Sequence, residues 1–275
     1  MNMTSGRSFL KRISAPLFFI LATLSIGATS CDNTIPGSIH VMSSGGFTAA
    51  YKVLEPAFET TTGLHLVTVY GASSGGAPDS IPERLRRGES ADVVILSREA
   101  LDRLVAAGIV QSGSTVDLVR SRIGMAVRAG EPVPDISTTA AFVTTLRNAQ
   151  SIGYSASASG TYLSTNLFPR LGIMDEISHK TLRITSERVG LVVARGEVEI
   201  GFQQISEILP ITGITYVGPI PEELQKITLF SAGVTTSAAN ISGAERLIHY
   251  LSSRAVISAI EATGLEAVAA QPTDN

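Results

Sequence analysis

The sequence predicts an α/β fold in which mainly parallel sheets are covered by helices on both faces. Three observations carry this. From residue 38 onward, short apolar strands alternate with helical stretches. The strands are apolar on both faces, as buried parallel strands are. Several of them run directly into loops of Ser and Gly that open the next helix. The chain has 275 residues, 44% of them hydrophobic and 16% charged. That is material for one large domain or two lobes, and too apolar for a disordered chain.

The elements follow in order. Residues 38–42 read as a strand ending in Ser43-Ser44-Gly45-Gly46. Residues 47–61 carry Phe47, Ala50, Tyr51, Leu54 and Phe58 at helical spacing and stop near Gly63. A strand at 64–70 enters Gly71-Ala72-Ser73-Ser74-Gly75-Gly76, a helix follows at 81–87, then a strand at 92–96 and a helix at 101–107 closed by Gly108. A second unit begins with a strand at 122–127. Ser137 is the expected cap of a helix through residue 146. The strand at 151–154 leads into Ser155-Ala156-Ser157-Ala158-Ser159-Gly160 and a helix at 161–171. A short strand at 183–185, a helix at 187–194 and a strand at 199–202 ending in Gln203-Gln204 come next. Strands at 215–217 and 227–234 and helices at 244–251 and 255–263 close the chain.

Composition excludes several classes of function. The formal net charge is −3, so there is no basic excess to hold nucleic acid. There is no Trp and only 5% aromatic residues, which argues against base stacking. The only cysteine is Cys31, so neither an intrachain disulfide nor a cysteine metal cluster can form. It follows basic Arg7, Lys11 and Arg12, an apolar stretch at 15–26 and Ala28-Thr29-Ser30, the pattern of a signal peptide over residues 1–31. Two routes fit. Cleavage after Ser30 releases a soluble product; lipidation of Cys31 tethers it and is the one membrane attachment expected. Either places the protein in the periplasm or otherwise outside the cytoplasm.

Three of the loops carry the chemistry. Ser43-Ser44-Gly45-Gly46, Ser73-Ser74-Gly75-Gly76 and Ser157-Ala158-Ser159-Gly160, with Thr161 behind it, put hydroxyls and free backbone N–H groups at helix starts, where negative charge is favoured. All three fall at the carboxyl ends of strands, where open α/β sheets bind ligands. Ser186 and Arg188 open the helix after residue 185, and an Arg there can fork onto a carboxylate, or pair instead with Glu187. Gln203 and Gln204 offer neutral amides, for a ligand or as caps, with Glu207 one turn on. His40, His65, His179 and His249 have no metal-ligand spacing, and no cofactor or metal is expected.

From residue 39 to 265 the chain resembles the molybdate-binding-like branch of the type 2 periplasmic binding proteins. The resemblance rests on Ile39-His40-Val41-Met42-Ser43-Ser44, Phe58-Glu59-Thr60-Thr61-Thr62-Gly63, Arg87-Gly88-Glu89-Ser90-Ala91-Asp92-Val93-Val94-Ile95 and Val193-Ala194-Arg195-Gly196-Glu197. It implies two α/β lobes with a cleft between them, joined by crossovers near 118–123 and 227–234. Lobe one then spans 36–120 plus 229–275 and lobe two 121–228. The family's oxyanion-contacting positions fall on Gly46, Ser73, Ser159, Ser186 and Gln204. Gly46 stands where the family has Ser and Gln204 where it has Tyr; a small residue at 46 together with Arg188 suits a larger carboxylate better than molybdate.

Ser43-Ser44-Gly45-Gly46-Phe47-Thr48, Ser157-Ala158-Ser159-Gly160-Thr161-Tyr162 and Gly201-Phe202-Gln203-Gln204-Ile205-Ser206-Glu207 also resemble a subgroup associated with bacterial aconitate isomerase. Two functions are therefore expected. The first is a receptor that closes on a small di- or tricarboxylate, ahead of molybdate, and hands it to an ABC-type permease. The alternative is an isomerase that moves an allylic proton between trans- and cis-aconitate. That second reading needs an acid/base group, for which Tyr162, Glu207 and Asp79 are the candidates.

Overall fold

The computed structural model describes residues 37–74 and 76–268. Residues 1–36, with the expected signal peptide and Cys31, and Gly75 lie outside the described residues. In chain order the first part comprises β1 (Ser38–Ser44), α1 (Gly45–Thr62), β2 (His65–Gly71), α2 (Ile81–Arg86), β3 (Val93–Ser97), α3 (Arg98–Ala106) and β4 (Val116–Ser121). Then come β5 (Ile123–Arg128), α4 (Thr139–Asn148), β6 (Ile152–Ser155), α5 (Ala158–Tyr162), α6 (Phe168–Arg170), α7 (Met174–Ile177), β7 (Thr181–Ile184), α8 (Val189–Ala194), β8 (Ile200–Gln204), α9 (Ile205–Ile208) and β9 (Ile214–Pro219). The chain ends in β10 (Thr228–Val234), α10 (Ile241–Leu251), α11 (Ile257–Glu261) and β11 (Glu266–Ala267).

These strands form two sheets and hence two α/β lobes. One is six-stranded in the order β11-β4-β10-β3-β1-β2, the other five-stranded in the order β7-β6-β8-β5-β9. The chain passes from the first sheet to the second between Ser121 and Ile123, and returns between Pro219 and Thr228. All described residues fall in one compact unit. Arg122, at the first crossing, donates to Glu266 at 2.7 Å and also pairs with Glu222, within the second.

The sheets are mixed rather than mainly parallel. β2, β1 and β3 are mutually parallel, as are β7, β6 and β8. The strands at the crossings run the other way: β10 is antiparallel to β3 and β4, and β5 to β8 and β9. A strand that arrives from the other lobe enters its sheet without a helical crossover, so nothing forces it parallel.

Each sheet has a core on both faces. On β3, Val93 and Ile95 pack with Phe47, Tyr51, Phe58 and Leu247 on one side. Val94 and Leu96 pack with Met42, Ile81 and Leu101 on the other. This is the two-residue alternation of a strand buried on both faces. In the second sheet Ile200 and Phe202 join Phe142, Phe168 and Ile177, while Val189, Val193 and Val198 fill the opposite face. α1 buries its Phe47, Ala50, Tyr51, Leu54 and Phe58 side and stops at Gly63, whose φ of 71° suits glycine and whose N–H donates to Glu59 O at 2.9 Å.

Two local expectations change. The side-chain cap of α4 is Thr138, which accepts from the Ala141 N–H at 3.1 Å, not Ser137. The helix expected over 161–171 starts earlier, at Ala158, and loosens into a π turn at Leu163–Leu167 before α6.

Candidate functional site

The last residues of β1, β2, β6, β7 and β8 (Ser44, Gly71, Ser155, Ile184 and Gln204) all line one cavity of about 270 Å³. Two of these strands belong to the first sheet and three to the second, so the cavity lies between the lobes. Its size is just below the usual range of ligand cavities, about 300 to 1,000 Å³.

The structure brings most of the sequence candidates to this wall. Ser44, Gly45 and Gly46 come from the start of α1, and Ser73 and Asp79 from the loop after β2. Ser157 and Ser159 come from the start of α5, Ser186 and Arg188 from the approach to α8, and Gln204 and Glu207 from the end of β8 and α9. The remaining candidates lie elsewhere. Ser43 is fully buried within β1. Gly160 is buried beneath the end of β6, where a Cβ would sit 2.7 Å from the Ser155 carbonyl carbon. Ser74, Thr161 and Tyr162 line a neighbouring pocket. The Tyr162 hydroxyl donates to Leu224 O at 2.9 Å, which holds it away from the cavity.

Two hydroxyls, those of Ser44 and Ser73, are free to donate to an anion. Ser44 Oγ is buried without a hydrogen-bond partner among the described residues. Ser73 Oγ accepts the Ser97 N–H at 3.0 Å, leaving its own proton to donate. Ser155 and Ser159 share a hydroxyl–hydroxyl bond of 3.1 Å. Gln204 Nε2 donates to Thr228 Oγ1 at 3.0 Å, and its Oε1 is buried without a partner.

Arg188 is the N-cap residue of α8: its backbone carbonyl accepts the Leu191 N–H at 3.0 Å, while its guanidinium makes no hydrogen bond or ion pair among the described residues. Glu187, its expected partner, is held instead by Arg195 through two bonds of 2.9 Å. Lys52, exposed on α1, supplies the cavity's second cation and sits 5.2 Å from the Tyr70 ring centre. Burial and Glu55 push the Tyr70 phenol up to about 12, with Arg188 pulling the other way, so Tyr70 is a neutral donor at physiological pH.

Glu207 has the chemistry a proton transfer needs. Burial raises its carboxyl from the ordinary 4.5 to about 7; the Arg188 charge and a hydrogen bond from Gln203 oppose that rise. Its carboxyl lies directly over Gly45, where a Cβ would overlap Oε1 and stand 3.0 Å from Cδ. The neighbouring Ser206 hydroxyl donates to Gly46 O at 2.7 Å, a buried bond from one lobe to the other. Gly46 itself is glycine because of Phe230: a Cβ there would meet ring carbons at 2.6 and 2.7 Å. The space at position 46 is taken by that ring, which also lines the cavity, and is not spare room for a larger ligand.

Sequence reasoning missed Lys52, Tyr70 and Phe230. Lys52 was within reach, since it lies seven residues after Gly45 and so on the same side of α1. Phe230 comes from a strand more than 180 residues away and carries no local signal. Among the described residues no group of three or more His, Cys, Asp or Glu could hold a metal, and no helix is long and apolar enough to cross a membrane.

Comparison with known proteins gives three findings. Residues 39–266 match the family model described as bacterial extracellular solute-binding protein. An aconitate isomerase from Pseudomonas sp. is 45% identical over 262 residues, covering 93% of this chain and all of that one. Among solved structures, the periplasmic molybdate-binding protein of Azotobacter vinelandii superposes with a TM-score of 0.66 at 19% identity, covering 85% of this chain and 100% of that one. The sulfate-binding protein of Mycobacterium tuberculosis gives 0.66 at 18% identity, covering 84% and 87%. At such identities the two structures speak for the fold alone.

Proposed function

This chain belongs to the bacterial extracellular solute-binding proteins, and from that premise we propose that it is an isomerase on a binding-protein fold, interconverting trans- and cis-aconitate. The observation that carries the reading is Glu207. A receptor needs only closure on its ligand, whereas this cavity also holds a carboxyl group poised to exchange a proton near pH 7. The relative named aconitate isomerase, matched over its whole length, supports the same reading.

On this reading Arg188 and Lys52 bind two of the three substrate carboxylates, and the hydroxyls of Ser44 and Ser73 add hydrogen bonds. Ionised Glu207 takes a proton from the methylene carbon of trans-aconitate. The electron pair left behind spreads through the adjacent double bond onto a carboxylate held by a cation. Glu207 then returns the proton to the other end of the three-carbon unit. The double bond moves by one position and re-forms with cis geometry. One proton leaves and one comes back, so no redox partner is required. Tyr162, expected beside Glu207 as an acid/base candidate, has no part because it faces away from the cavity.

The family favours a second reading, a receptor that delivers a carboxylate or oxyanion to an ABC-type permease. Under both readings the protein works outside the cytoplasm, exported by residues 1–31 and either released or lipidated at Cys31. Thermal shifts with trans-aconitate, citrate and molybdate, followed by chromatography of the aconitate incubation, test the proposal. The isomerase predicts the largest stabilisation by a tricarboxylate, about 2.7 kcal/mol at a hundredfold excess over the dissociation constant, together with cis-aconitate in the eluate. Stabilisation by molybdate alone, or binding of trans-aconitate without product, would favour the receptor.

A further inference from the structure

Gln203 is buried at the end of β8, and its side chain is pinned at both ends. Its Oε1 accepts the Val189 backbone N–H at 2.8 Å. A backbone N–H can only donate, so this bond fixes which end of the amide is oxygen. The Nε2 end then faces Glu207 and donates to its Oε1 at 3.0 Å. An amide NH₂ cannot accept, so Glu207 Oε1 remains an acceptor whichever protonation state the carboxyl adopts. A carboxylic acid's carbonyl oxygen accepts more strongly than its hydroxyl oxygen, so this bond favours the proton on Oε2, which has no hydrogen bond among the described residues.

We infer that Gln203 is the positioning residue of this site: it locks the Glu207 carboxyl so that Oε2 takes and gives the proton, and its donated hydrogen bond tunes how tightly that proton is held. The same amide links the two halves of the site. Val189 follows Arg188 directly, so the segment that carries the anion-gripping guanidinium is tied through Gln203 to the group that handles the proton. The charged and titratable groups around Glu207 are accounted for. Arg188 acts on it from the start of α8, and α1 meets it with the bare backbone of Gly45. Lys52, Tyr70, Asp79 and Glu187 line the same cavity, with Glu187 occupied by Arg195.

The part played in turnover rests on the isomerase reading; the hold on the Glu207 proton does not. The test therefore has two arms. In the first, carboxyl carbon NMR of ¹³C-labelled ligand-free protein follows the Glu207 titration, assigned by its loss in Glu207→Gln. Gln203→Met removes both hydrogen bonds. Gln203→Glu keeps an acceptor for the Val189 N–H, and so the fold, while removing the donor and adding a like charge. The inference expects the Glu207 midpoint to rise by at least half a pH unit, about threefold in proton affinity, in Gln203→Met and further in Gln203→Glu. An unchanged midpoint in folded Gln203→Glu would overturn it, whether or not the protein turns anything over.

In the second arm, the pH profile of kcat/KM with trans-aconitate should show its acidic limb displaced upward by the same amount, with kcat falling more than KM changes. A fall in rate with no displacement of the limb would mean a merely structural role and overturn the inference. No turnover in the wild type, alongside a shifted NMR midpoint, would sink the isomerase reading and leave the hold of Gln203 on Glu207 intact.

Discussion

Replacing Gly45 with Ala separates folding from chemistry in this site. The added Cβ would overlap Glu207 Oε1 and lie 3.0 Å from Cδ, where ordinary contact begins at 3.4 Å. The carboxyl has to retreat, and its near oxygen moves by about 1 Å to restore van der Waals distance. That breaks or stretches the 3.0 Å bond from Gln203. The fold should tolerate this, because the obstructing atom is the free end of a side chain. Gly45 is also the first residue of α1, where Ala is the better helix former by up to about 1 kcal/mol. We therefore expect Tm to stay within about 2 °C of wild type. Catalysis should not tolerate it: a misplacement of about 1 Å costs on the order of a hundredfold in rate. Calorimetry and a cis-aconitate assay on the same sample measure both. Wild-type turnover in folded Gly45→Ala would refute the placement of Glu207 as the proton-transfer group.

Three further outcomes follow from the same geometry. Gly46→Ser should behave in the opposite way, losing about 1–3 kcal/mol of stability because its Cβ meets the Phe230 ring at 2.6 and 2.7 Å; denaturant unfolding checks it. Arg188→Ala removes a charge-assisted grip worth about 1.5–3 kcal/mol, so isothermal titration with trans-aconitate should show binding weakened by about 10- to 150-fold, and an unchanged affinity would exclude Arg188 from the contact. Glu207 also sets a pH dependence of stability. Its folded carboxyl is raised from 4.5 to about 7, so the native state holds a proton that the unfolded chain releases. Its contribution is complete below pH 4.5 and is lost as pH climbs to about 7, by up to about 3 kcal/mol; Glu207→Gln should remove that slope from unfolding curves measured across the window.

Much of this site was legible because its anchors are local. Ser44-Gly45-Gly46, Ser73 and Ser157-Ala158-Ser159 are small residues at the ends of apolar strands, and a strand end leading into a helix is where an α/β sheet binds ligands. Arg188 and Glu207 were visible as charged groups beside such ends. What could not be read depends on contacts distant in sequence. Position 46 looks like room for a ligand until Phe230 is seen to occupy it. Tyr162 looks like an acid/base group until its hydroxyl is found on Leu224. The direction of β10 is likewise hidden, since Thr-Leu-Phe-Ser-Ala-Gly-Val is as apolar as a parallel strand and only its arrival from the other lobe makes it antiparallel.

The central claim is that Glu207 moves a proton within a bound tricarboxylate. Proton NMR of trans-aconitate incubated with the purified protein, beside Glu207→Gln, tests it most directly. The account predicts that cis-aconitate signals grow with the wild type and at least about a hundredfold more slowly with the variant, the usual size of a general-base contribution. Saturable binding of trans-aconitate with no cis-aconitate formed, or equal turnover by both proteins, would contradict it.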